Sequence, residues 1–430
     1  MSKRELRATI LRRADRRGLV RAWIPVAGLL AGAGWGSNQF TPMLLVYHAR
    51  LGLSTATLEA LFGAYAAGLI PGLVLAGRWS DAHGRRSVGI SAAVMSLLAT
   101  ACLIAGAHAL GLLFAGRLLA GVSSGAAFGV GTAWLRETSL PHFGDADHGT
   151  VARRAAVAMT IGFALGPLVA GVLAQWAPAP TVVSYLPHIA LMLVVLPALL
   201  TVPETIEGHR DIATAVRLSA ASARRFRRLV VPMAPWVFAA PAIAFALLPS
   251  IVGTGHSADG VALTAAVTAL TALAGVLIQP VARRLDVSAR DHAAGMVGLT
   301  VLAGGLALAA LTAEVRQNWL LFPCAIVLGS AYGLLLVAGL LEVQRLAPPR
   351  ALAGLTATFY VFTYLGFAAP YLLAVAAHAT SYAVLLLIVS GLALVTVGVV
   401  GAAAREQSEH VARPVYPPGA RRATSSRPGT

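Results

Sequence analysis

The sequence predicts an all-α integral membrane protein of twelve transmembrane helices in two six-helix bundles. Three observations predict it. The 430 residues are 57% hydrophobic and 12% charged, where a soluble domain carries about 25% charge, and the mean hydropathy is +0.76. Apolar runs of about 20 residues, long enough to cross a bilayer, recur along the whole chain. The arginines between those runs crowd onto one side of the predicted membrane.

Residues 1–21 are polar and basic, and no cleavable signal peptide is expected, because the first apolar stretch is long enough to span. The spans follow at 22–46, 56–79, 88–108, 111–135, 154–175, 181–202, 230–252, 261–281, 292–313, 319–341, 353–376 and 380–402. With the N-terminus inside, the inner segments carry Arg4, Arg7, Arg12, Arg13, Arg16 and Arg17. They also carry Arg85, Arg86, Arg153, Arg154, Arg224, Arg225, Arg227, Arg228, Arg283, Arg284, Arg345 and Arg350. The outer loops offer Arg50 and Arg316. That asymmetry is the positive-inside rule, and it predicts a multi-pass protein of the cytoplasmic (inner) membrane with both termini cytoplasmic. The net charge of +16 is therefore a topology signal, and no nucleic-acid partner is expected.

Chemistry is bounded by what the chain lacks. Its cysteines, Cys102 and Cys324, both fall inside predicted helices, so neither a disulfide nor a metal site is expected. Its one lysine is Lys3, outside any P-loop context, so ATP hydrolysis through such a loop is excluded. The chain is expected to be no enzyme and to need no cofactor.

Between the second and third spans runs GRWSDAHGRR, from Gly77 to Arg86. It resembles the cytoplasmic loop signature of the major facilitator superfamily, G-x-L-a-D-r-x-G-R-r. Gly77, Asp81, Gly84, Arg85 and Arg86 match, while Trp79 stands for the usual leucine and His83 fills a variable place. Gly77 is expected to let the second helix approach a neighbour, and Gly84 to permit a sharp turn. An acid at the membrane boundary is costly unless paired. The resemblance implies that Asp81 meets the positive N-terminal end of the eleventh helix and latches the inner gate in the outward-open state.

Arg117 lies in the fourth span as R-x-x-x-G-x-x-x-G with Gly121 and Gly125. It resembles the second signature of the superfamily, which is linked to proton coupling; the alternative is an arginine that snorkels to the interface. The fifth span reads GFALGPLVAG, with Gly162, Gly166, Pro167 and Gly171. This is similar to the family's exporter signature, with Ala170 for a glycine, and its small residues are expected to pack against the other half. The alternative there is an ordinary packing face.

Carboxylates are few. Asp81, Glu137 and Glu342 sit at inner helix ends, and Glu59 lies about one turn inside the outer end of the second span. Glu59 and His188 are the proton-coupling candidates beside Arg117, which would favour ionisation of a nearby acid. For His188, a core position bonded to backbone is the competing reading. A cavity without a midplane acid offers little to a cation. Trp35, Asn38, Gln39, Tyr65, Trp236, Tyr332, Tyr360 and Tyr364 are the cavity candidates, and they suit a neutral or weakly polar lipophile.

The halves, 22–202 and 230–402, repeat with an offset of about 200 residues and are joined by a polar linker at 203–229. Gly77 answers to Gly275, the 77–86 loop to QPVARRLD, Gly121 and Gly125 to Gly329 and Gly333, and Gly166-Pro167 to Gly366 and Pro370. Residues 403–430 are predicted to be a disordered cytoplasmic tail. The chain resembles twelve-helix bacterial drug:proton antiporters. That implies proton-coupled efflux of a small lipophilic compound by a monomer whose partners are the substrate, protons and the lipid bilayer. A proton-coupled importer of a small metabolite, and a non-transporting scaffold or receptor of the same fold, are the alternatives.

Overall fold

Backbone amides in a bilayer core have no water to bond, so a spanning segment must satisfy them internally. In the computed structural model, which describes residues 21–140, 146–206, 219–254, 258–288, 292–347 and 352–412, each apolar run is helical, and no strand occurs among the described residues. Among the described residues, eleven helices are long and apolar enough to cross a membrane, and a broken first span makes the twelfth.

The first half comprises α1 (Trp23–Asn38, resuming as Met43–Leu51), α2 (Thr55–His83), α3 (Arg85–Ala105), α4 (Leu110–Ser139), α5 (His148–Trp176) and α6 (Leu186–Leu199). The second half opens with α7, built from Ala220–Arg225, Phe226–Val230, Val231–Ala242, Ile243–Leu247 and Leu248–Val252. It continues with α8 (Gly260–Leu277, then Gln279–Ser288), α9 (Ala293–Val315) and α10 (Leu321–Leu346). It closes with α11 (Leu352–Tyr364, Leu365–Ala368, Ala369–Ala376) and α12 (Tyr382–Ala412). The helix ends near Arg85, Arg136, Arg225 and Arg345 form a basic end, and those near Arg50 and Arg316 form an arginine-poor end.

Several boundaries depart from the sequence expectation. The first span is not one helix over 22–46. Proline at 42 has no amide to donate, and the chain tightens, with Thr41 N–H on the Asn38 carbonyl and Met43 N–H on that of Phe40. The motif at 77–86 is mostly helix: α2 runs to His83, and Gly84 alone, at φ +89°, separates it from α3. QPVARRLD is likewise helical. The seventh helix starts inside the predicted linker, at Ala220. Residues 403–412, read as tail, continue α12, helped by an Arg228–Glu406 ion pair and by the helix formers of AAAREQ. Residues 1–20, 207–218 and 413–430 lie outside the described residues.

Close packing rests on glycines, though not on Gly77, around which a Cβ would find open space. At Gly121 and Gly125 of α4 a Cβ would strike the carbonyls of Tyr65 and Leu69 on α2. At Gly68 and Gly72 of α2 it would strike those of Leu118 and Val122. The second half makes the same contact: Gly329 and Gly333 of α10 press on the Thr271 and Gly275 carbonyls of α8. Gly275 thus stands where Leu69 stands in the first half, not where Gly77 does. Likewise Gly166 of α5 packs on Trp35 of α1, and Gly366 of α11 on Pro235 of α7.

Candidate functional site

Between the halves lies a cavity of about 240 Å³. Its first-half wall is Asn38, Leu73, Phe128, Thr132, Met159, Thr160 and Phe163. Facing it are Phe238, Pro241 and Phe245 of α7, Ala272 and Val276 of α8, and Tyr332 and Leu336 of α10. Tyr360, Tyr364 and Phe367 of α11 complete the lining, and none of these side chains carries charge. Leu73, Thr132, Val276 and Leu336 belong to the basic-end portions of their helices, so the cavity lies toward that end.

The arginine-poor side is shut by contacts between the halves. Phe62 of α2 touches Phe245 and Phe367, with ring centroids 5.9 and 5.3 Å apart. Tyr65 meets Phe367 at 6.2 Å. Further out, Gln175 at the end of α5 caps α8: its Oε1 accepts from the Val261 and Ala262 amides at 3.0 and 3.3 Å. Gly171 sits against Ala265 and Pro42. Only this glycine of the α5 motif faces the other half. Gly162 and Gly166 pack on Ala31 and Trp35 of α1, and Pro167 lies inside the helix.

Of the sequence candidates, Asn38, Tyr332, Tyr360 and Tyr364 line the cavity. Trp236 turns away, its indole N–H donating to Thr396 on α12 at 3.2 Å. Tyr65 bonds Ser37 Oγ at 2.6 Å beneath the cavity wall. Trp35 Nε1 and both amide atoms of Gln39 are buried beside the α1 break without hydrogen-bond partners among the described residues. Phe238, Phe245 and Phe367 were missed, because a phenylalanine in an apolar span has the same pattern whether it lines a cavity or fills a core.

Arg117 is fully buried and does not snorkel. Its Nε and Nη2 donate to the Leu61 and Phe62 carbonyls of α2 at 3.2 and 3.3 Å, and its Nη1 to the Ser37 carbonyl at 3.3 Å. The break in α1 leaves Ser37 without its usual helical donor, since the Thr41 amide bonds Asn38 instead. The guanidinium also lies over the Phe40 and Tyr65 rings, at 4.5 and 4.8 Å. Arg117 therefore ties the broken helix to α2.

The expected link from Arg117 to Glu59 is not formed. Glu59 is fully buried, and neither oxygen has a hydrogen-bond partner among the described residues. The phenol of Tyr382, at the start of α12, lies within its electrostatic range. His188 is a core histidine: its Nε2 donates to the Gly32 carbonyl at 3.2 Å, and its Nδ1 lies 2.9 Å from Thr100 Oγ1. A carbonyl only accepts, so Nε2 carries the proton.

At the basic end, Gly84 turns the chain and Glu204 seals the turn. Glu204 accepts from the Arg85 and Arg86 amides at 2.8 and 3.0 Å, which caps α3 where its dipole is positive. The Arg85 guanidinium bonds Ser80 Oγ at 3.0 Å and Glu137 at 3.3 Å, and Glu137 also accepts from Thr205. The second half repeats the theme. Glu342 pairs with Arg225 at 2.6 Å and with Arg345 at 3.6 Å, while Arg345 also pairs with Asp286. The Asp81 side chain lies outside the described residues. Glu204 lies in the predicted linker at 203–229, and its capping role needs the fold.

A family model described as Major Facilitator Superfamily matches residues 26–370. Over 88 residues the chain is 39% identical to Multidrug resistance protein MdtL of Klebsiella pneumoniae (strain 342). That stretch covers 20% of this chain and 22% of the relative. The fold is similar to the nucleoside transporter NupG, at TM-score 0.69 and 14% identity over 89% of this chain and 99% of that one. It is also similar to a POT family transporter in complex with 5-aminolevulinic acid, at TM-score 0.74 and 12% identity over 91% and 96%. A bacterial homologue of the human lysosomal transporter Spinster matches at TM-score 0.63 and 13% identity over 90% and 96%.

Proposed function

The chain belongs to the major facilitator superfamily, and from that premise we propose that it exports a small lipophilic compound across the cytoplasmic membrane in exchange for protons. That it is a transporter and not an enzyme follows from the family and from the transporters sharing its fold. The observation that carries the finer reading is the uncharged, aromatic-lined cavity between the halves. Such a wall rewards apolar surface and offers nothing to neutralise a formal charge.

Export is supported by the α5 pattern Gly162, Gly166, Pro167 and Gly171, which is similar to that of exporters, and by the stretch shared with a protein named for multidrug resistance. The arginine asymmetry supports a cytoplasmic basic end with both termini inside. The cycle is alternating access by a monomer. Glu59 is the proton site. An ionised carboxylate buried without partners costs several kcal/mol, so closing the arginine-poor side requires the neutral acid. When that side opens, Glu59 meets outside water and takes up the proton that closure requires, and release of that proton toward the basic end before the outer side reopens completes the exchange. Arg117 holds α1 and α2 together through the change, and Asp81 latches the basic end when it closes.

The test uses everted membrane vesicles from cells overproducing the chain, a fluorescent lipophile, and respiration as the energy source. The expected result is accumulation in the vesicles that collapses on adding a protonophore. Respiration-driven movement of the probe out of everted vesicles would overturn export, and accumulation that survives the protonophore would overturn proton coupling.

A further inference from the structure

We propose that the cavity selects a flat, uncharged ligand of about two fused rings, stacked on the second half and hydrogen-bonded at its edge by Asn38. The proposal rests on the reading of this cavity as the substrate site. Four rings on its second-half wall share nearly one orientation. Phe238 and Tyr364 stack at 4.7 Å and 6°, and Phe238 and Phe367 at 5.0 Å and 19°. Tyr364 and Phe367 lie at 13°, and Tyr360 follows Tyr364 at 24°. Parallel rings do not form a cage around a point charge; they form a stack that another flat ring extends.

The facing wall supplies the polar contact. The Thr132 and Thr160 hydroxyls donate to the Phe128 and Ala156 carbonyls of their own helices. Asn38 is the one amide in the lining. It stands in the last turn before the α1 break, and its side chain makes no hydrogen bond to the protein among the described residues. It therefore presents both a donor and an acceptor to the cavity. Size follows from volume. An engineered cavity of about 150 Å³ holds one benzene ring, so 240 Å³ has room for a second fused ring. With no acid in the wall, a cation loses its hydration with only ring faces to offset the loss.

The experiment measures equilibrium binding to the purified full-length chain in nanodiscs, with no gradient. The probes are coumarin, its saturated analogue octahydrocoumarin, the flat cation N-methylquinolinium and the flat anion 2-naphthoate. Coumarin is expected to bind one per chain, octahydrocoumarin several-fold more weakly, in keeping with the worth of aromatic stacking, and the two ions at least about tenfold more weakly, in keeping with the cost of desolvating a charge. Phe238→Leu, which keeps apolar bulk but removes the ring face, and Asn38→Leu are each expected to weaken coumarin several-fold. Trp236→Phe, off the cavity, is expected to leave binding unchanged. Equal binding of coumarin and octahydrocoumarin, tighter binding of the cation, or wild-type affinity in Phe238→Leu would each overturn the proposal. If coumarin binds as stated and vesicles do not export it, the export reading falls and the ligand class stands. If vesicles export another compound while coumarin fails to bind, the ligand class falls alone.

Discussion

Glu59 and Arg117 meet the same turn of α2, yet each is engaged differently. The guanidinium spends its donors on the Ser37, Leu61 and Phe62 carbonyls, and the carboxyl spends nothing. Arg117 is thus a structural tie with a charge, and Glu59 a charge site with no tie. We expect Glu59→Gln, which mimics the neutral acid, to bind ligand normally and to slow proton-driven export by tenfold or more, since each ~1.4 kcal/mol of barrier is tenfold. Vesicle export compared with equilibrium binding checks this, and normal export would remove Glu59 from the coupling. Arg117→Ala is expected to abolish proton-driven export with ligand binding retained, because Arg117 is not in the cavity lining. Loss of binding in that variant would move the arginine from coupling to the architecture of the site. The sequence marked both residues by their cost in an apolar span. It could not say that they avoid each other, because the direction of a side chain on α4 depends on how α1 breaks.

Helices in lipid gain little from burying apolar surface against one another, so α2 and α4 adhere by close backbone approach. Gly121→Val places its side chain on the Tyr65 carbonyl. Overpacking of this kind costs about 1–3 kcal/mol, and we expect a lower melting temperature and poor recovery of the purified variant. The same change at Gly77, where a Cβ meets nothing, is expected to leave the melting temperature unaltered. Glycine spacing was legible on α4, where Gly121 and Gly125 stand four apart, and in the repeat at Gly329 and Gly333. It misled at Gly77, because a motif position records a turn or a contact without saying which. The α1 break at 39–42 was illegible for a related reason. Proline is tolerated inside spanning helices, and nothing local distinguishes Pro42, which stands in the break just before Met43–Leu51, from Pro71 or Pro167, which lie inside unbroken helices.

The whole molecule is two similar halves joined tightly at the arginine-poor end, with ion pairs at the basic end that bind helices within a half, such as Arg85–Glu137 and Arg225–Glu342. Hydropathy made the spans and their number readable, because about 20 apolar residues have few other uses. Arginine placement makes orientation testable. Reporters fused after Gly255 and after Gln407 are expected outside and inside respectively, and the opposite result would reverse the polarity of the cycle. Only a small part of the cavity wall was legible, four of its seventeen lining residues. Asn38 and three tyrosines carry a polar atom that stands out in an apolar span, whereas Phe238, Phe245 and Phe367 do not.

The absence of charge in the cavity lining has an electrical consequence. On the proposed exchange for protons, a neutral passenger crosses without sensing the membrane potential, and the returning proton carries the whole charge of the cycle. Exchange of one neutral molecule for one proton is then electrogenic, and voltage alone can drive it. A unit charge crossing 100 mV is worth about 2.3 kcal/mol, which sustains roughly a fiftyfold gradient of the passenger at ~1.4 kcal/mol per decade. Proteoliposomes holding the chain, with a potassium diffusion potential and equal pH on both sides, are expected to build such a gradient. A gradient that forms only when the pH differs would mean that the passenger carries a positive charge after all.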